Sequence, residues 1–168
     1  MSLLAARCYA IAANILDTID EDTWRQNGLS DGDVRMTKNL TTLFLRVNSI
    51  ELGLKHILAN EIKYPLPERD RHNLVTLWDR LTDERRHSLS QDSDIPMPNI
   101  RQTLERYKNV SVAARFGGTF GNAPASGTPS RQSMLSNDNI LKNLANILGP
   151  RACPPIKLEP VRENNSSK

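Results

Sequence analysis

An all-α fold, built as an up-down antiparallel four-helix bundle, is predicted by three observations. Apolar residues recur by threes and fours in several separate stretches, no period-2 run of any length interrupts them, and the breakers between them leave connections short enough for antiparallel neighbours. The 168 residues, 38% hydrophobic and 24% charged, make room for one domain with something left over. Aromatics amount to only 5%, so the core must be made mostly of Leu, Ile, Val and Ala.

The first helix is expected over residues 3–19, where Leu4, Cys8, Ile11, Ile15 and Ile19 recur at helical spacing and mark the face to be buried. The segment DEDTWRQNGLSDGD, with Gly28 and Gly32 among turn formers, stops it. Residues 34–62 carry the strongest signal, a stripe of Met36, Leu40, Leu43, Val47, Ile50, Leu54 and Ile57 that ends ahead of Pro65 and Pro67. A third helix starts near Asp70, with Leu74, Leu77, Trp78 and Leu81 on one face. Thr82 followed by Asp83 and Glu84 reads as a fresh N-cap with acids in a first turn, so the helix breaks there and resumes through Leu89. Asn99 then caps a fourth helix whose face is Ile100, Leu104, Tyr107, Ser111 and Ala114, closed by Gly117-Gly118.

The helical domain therefore runs over residues 1–116. Residues 117–168 hold five Gly and six Pro among many Ser and Asn, a composition that buries too little apolar surface to offset its ordering entropy. This tail is expected to be flexible apart from a short amphipathic helix around 138–148, where Ile140, Leu141, Leu144, Ile147 and Leu148 form a narrow stripe before Gly149-Pro150. Such a helix docks either on the body or in the groove of a protein partner.

The net charge of +3 is unevenly spread. Residues 1–116 hold 16 basic and 16 acidic side chains, whereas residues 117–168 hold 6 against 3. The expected domain thus has no positive charge to spare overall, which leaves only a local patch by which to neutralise phosphates as nucleic-acid binders do. Cys8 and Cys153 have no partner cysteines at ligand spacing, which argues for free thiols rather than a metal site or a disulfide framework. The opening MSLLAARCYAIAANIL lacks a basic start and is interrupted by Arg7 and Asn14, so it reads as a helix of the mature chain and the protein as cytoplasmic. No run of 18 apolar residues provides a membrane-spanning helix.

Few residues carry chemistry. There is no HExxH, ExxH or paired Cys for a metal, no phosphate cradle in GGTFG, and no GxSxG, so no cofactor is expected. His56 lies mid-helix and reads as structural; His72 stands at the start of the third helix; His87 follows Arg85 and Arg86 on a solvated face. Glu51 and Lys55 form an i, i+4 pair in the favourable order and flank the apolar stripe, which favours a partly buried pair.

Taken in order, IELGLKHIL, RHNLVTLWDRL and LERYKNVSVAARF resemble small bacterial HEPN-like proteins over residues 34–116. The discriminating positions are Glu51, Lys55, His72, Leu74, Leu77, Trp78 and Arg115. The resemblance implies an up-down helical bundle that pairs as a homodimer, within defence or toxin–antitoxin systems. Many members are metal-independent ribonucleases that use Arg-x4–6-His at a dimer cleft; others bind nucleotides or act as adaptors without catalysis. Here no His stands five to seven places after Arg101, Arg106 or Arg115, and the one matching pair is Arg80 and His87, on the third helix. The expectation is a non-catalytic or degenerate module in which Glu51, Lys55, His72 and Arg115 brace the bundle. The alternative is a ribonuclease using Arg80 with His87, or His72, in which Arg steadies a phosphate of RNA and His moves a proton from the ribose hydroxyl.

Overall fold

The computed structural model describes residues 3–28, 30–61, 67–108 and 131–149. Among these the chain is helical throughout its regular structure, without a strand. The helices are α1 (Leu3–Thr18), α2 (Glu21–Gln26), α3 (Asp31–Glu61), α4 (Leu74–Asp79), α5 (Asp83–Ser93), α6 (Met97–Tyr107) and α7 (Arg131–Leu148), with a 3-10 turn at Glu68–Asp70 ahead of α4.

The axis of the fold is α3, whose stripe buries Val47, Ile50, Leu54 and Leu58 in one core with Leu74, Leu77 and Trp78 of α4, Leu89 of α5, and Ile100 and Leu104 of α6. Helix α1 runs antiparallel to it. Ala6 accepts a buried hydrogen bond from Ser49 Oγ at 2.8 Å, while Asp17, near the other end of α1, pairs with Arg46. The face that α1 turns inward consists of Ala6, Ala10 and Ala13, at most 3% exposed. Small side chains there let the two helix axes approach closely. This reverses the expectation for α1: Leu4, Ile11 and Ile15 are 47%, 46% and 55% exposed, and Cys8 is exposed with them.

The stripe of the tail segment takes the first of its two expected placements and docks on the body. Leu141, Leu144, Ala145 and Leu148 of α7 are buried in the same core, and Ile140 and Ile147 pack against it. α7 lies antiparallel to α1, with Asn14 Nδ2 donating to Asn146 Oδ1 at 2.8 Å and Lys142 Nζ 3.2 Å from Asp17. Its last turn meets α3 so closely that a Cβ on Gly53 would lie 2.6 Å from that of Leu148. The helix is therefore part of the body, and its apolar side is not available to recruit a partner. A stripe this narrow is marginal alone but stable once α1, α3, α5 and α6 cover it.

Local chemistry sets most boundaries. Thr82 caps α5 by accepting from the Arg85 amide, as expected, and Asn73 caps α4 by accepting from Val75 and Thr76. α6 begins at Met97 behind Pro96, so Asn99 lies inside its first turn rather than capping it. α2 falls where only a turn was expected. Asp20 accepts from the Thr23 amide at 2.6 Å, and Arg25 pairs with Glu21, Asp22 and Asp31, so caps and ion pairs rather than an apolar stripe make this helix. Arg115, Ser111, Ala114, Gly117, Gly118 and Cys153 lie outside the described residues.

Candidate functional site

The turn that follows the 3-10 segment brings His72 back over the middle of α3. Asn73, by capping α4, fixes the backbone immediately after it. His72 Nδ1 lies 2.8 Å from Oε1 of Glu51, and Lys55 Nζ lies 2.6 Å from the same oxygen. An ionised carboxylate only accepts, so both nitrogens donate to it. The Glu51 side chain is fully buried, that of Lys55 is 10% exposed and that of His72 is 38% exposed. Three of the four residues expected to gather, Glu51, Lys55 and His72, thus converge on one oxygen; Arg115 is outside the described residues.

The physical effect of this arrangement is to pin a turn to a helix. A carboxylate taken fully out of water needs charged donors of good geometry, and here one comes from its own helix and one from the turn ahead of α4. The apolar run of Leu74, Leu77 and Trp78 begins directly after that turn, so the contact also fixes how α4 enters the core. Chemically, an imidazole anchored at Nδ1 by a buried carboxylate and half-exposed elsewhere has the setting of a proton shuttle.

The Arg80–His87 pair is arranged otherwise. Arg80 ends α4 and His87 lies on α5, and both are exposed. His87 Nδ1 lies 2.9 Å from the Asp83 carbonyl one turn earlier. Around them the acidic groups are engaged locally: Arg86 pairs with Asp83, holding that carboxyl below its ordinary range, and Arg101 grips Asp79 with two bonds of 3.0 and 2.9 Å, which raises the Arg101 pKa. His56 pairs with Asn60 along α3 at 3.1 Å. No group of three or more metal-ligating side chains occurs among the described residues.

Two features went unread in the sequence. One is a polar network in which the Asp17 carboxylate receives both Arg46 of α3 and Lys142 of α7, while Lys38 Nζ donates to the Ile19 carbonyl at 2.7 Å, just past the end of α1. It joins three helices distant in sequence, which no local pattern discloses. The other is the exposed row on α1. Its signal was present as a second stripe, Ala6, Ala10 and Ala13, on the opposite side of the same helix.

No helix among the described residues is long and apolar enough to cross a membrane. Comparison of the chain with protein-family profiles, with curated proteins and with solved structures finds no match to any of them.

Proposed function

We propose that the chain is a non-catalytic HEPN-like helical module, an up-down bundle that acts by self-association, in a bacterial system of the defence or toxin–antitoxin kind. The observation that carries this reading is the row of large apolar side chains that α1 leaves in solvent while its small side chains face the core. A row of this kind leaves apolar surface in water and favours a helical partner. The Glu51–Lys55–His72 contact supports the same reading, because it serves to lock α4 onto α3.

A metal-independent ribonuclease is the second reading, with Arg80 and His87, or His72, as its chemistry. What favours it is the half-exposed imidazole of His72 on its buried carboxylate. An RNA cleavage assay in the presence of a chelator separates the two. The expected result is no cleavage, together with concentration-dependent self-association by sedimentation. Cleavage that disappears in His72→Ala or His87→Ala would replace the first reading by the second.

A further inference from the structure

We infer that α1 is a self-pairing surface, through which two copies of the chain join by antiparallel α1 helices, Leu4 against the second copy's Ile15 and Cys8 against its Ile11. The inference deepens the reading of the chain as a self-associating module and rests on it. Among the described residues, the large apolar side chains left exposed are Leu4, Ile11 and Ile15, all on this one helix. Single exposed apolar residues are ordinary on any surface, but these stand in one row with Cys8 between them. Their steps of four, three and four residues are those of the narrow seam between paired helices.

The spacing also fits a second copy of the chain as the occupant. Steps of four, three and four are the same read in either direction. A two-fold axis across α1 between Tyr9 and Ala10 therefore lays the row on itself, the self-complementarity a closed pair of identical chains requires. Side-chain size favours the antiparallel sense. It sets the small Cys8 against Ile11 in two equal layers, whereas a parallel pair would stack Cys8 on Cys8 and leave one layer thin. Charge presents no obstacle: between Leu4 and Ile15 the charged residue is Arg7, which this pairing places beside the second copy's Ala12. Opposed helix dipoles add to the preference. A 16-residue helix is about 24 Å long. It covers less than the roughly 800 Å² per partner of a standard interface, so the pair forms reversibly.

The chain also leaves α7 beside this helix, at Gly149, where an added Cβ would lie 3.1 Å from that of Ala10. Coverage of the row by residues 150–168 of the same copy is therefore the competing outcome. The experiment uses the full chain carrying Cys153→Ser, in sedimentation velocity from micromolar to several hundred micromolar. A reversible dimer is expected, weakened at least tenfold by Ile11→Asp and by Ile15→Lys with circular dichroism unchanged. Ile11→Cys in the same background should give disulfide-linked dimers on mild oxidation, far faster than Cys8 alone. A dimer indifferent to both charged variants would overturn the α1 surface while leaving self-association standing. Rapid linkage through Cys8 alone would overturn the antiparallel sense. A monomer at every concentration would overturn both readings, and slow modification of Cys8 in that monomer would assign the row to residues 150–168.

Discussion

Glu51 is the residue on which the most depends. A fully buried carboxylate that accepts from Lys55 and His72 on one oxygen is stable only while its donors stay in place. Lys55→Ala is expected to lower stability by about 3 kcal/mol in chemical denaturation, the cost of leaving a buried charge with a lost partner. A variant as stable as its parent would remove the bracing role. Asp20 gives a test of opposite character at the surface. Its carboxyl lies below the ordinary value of 3.8 because it accepts from the Thr23 amide. The lowered folded-state pKa means that its contribution is present above the unfolded value and is lost as pH falls through the folded one. The Thr23 amide resonance should therefore titrate with a midpoint below 3.8, and Asp20→Asn, an equally good cap, should abolish that titration while keeping α2. Both Glu51 and Lys55 were legible from their i, i+4 spacing beside an apolar stripe. That His72 would meet them could be expected only from the resemblance, since the distance along the chain is bridged by tertiary structure.

At the scale of elements, the helices fall into those made by periodicity and those made by their ends. α3 was plain in the sequence because its stripe runs for many turns, and the break between α4 and α5 was plain because Thr82 with two following acids is a local signal. α2 was missed because nothing in it is buried. The wrong face was assigned to α1 because large apolar residues outweigh alanines in any stripe count, although close helix contact demands the alanines. The contact between α3 and α7 gives the sharpest test of packing. Gly53→Ala would bring its Cβ to 2.6 Å from Leu148, mid-helix and with backbone close behind. Despite alanine's better helix propensity, it should therefore destabilise by about 1–3 kcal/mol in thermal or chemical unfolding. A neutral or stabilising effect would show that α7 does not sit against α3.

For the whole molecule, the core of the described residues is one body closed by α7. Leu141, Leu144 and Leu148 share a cluster with residues of α3, α4, α5 and α6, so the boundary expected at residue 116 does not enclose a complete core. A chain ending at Phe116 should lose cooperative thermal unfolding and bind hydrophobic dyes, whereas the full chain should unfold in one transition. A truncated chain that melts as sharply as the full one would restore the original boundary. Composition concealed this arrangement, because a segment rich in Pro, Gly and Ser carries the helix that completes the interior.

That ordering has a consequence for biosynthesis. A nascent polypeptide emerges from the ribosome in the order it is read, and here the segment that seals the hydrophobic groove between α1 and α3 is the last of the described helices to emerge. Until Leu148 clears the exit tunnel, the groove stays open to water, so the helices that emerge earlier cannot close their shared core before this segment is released.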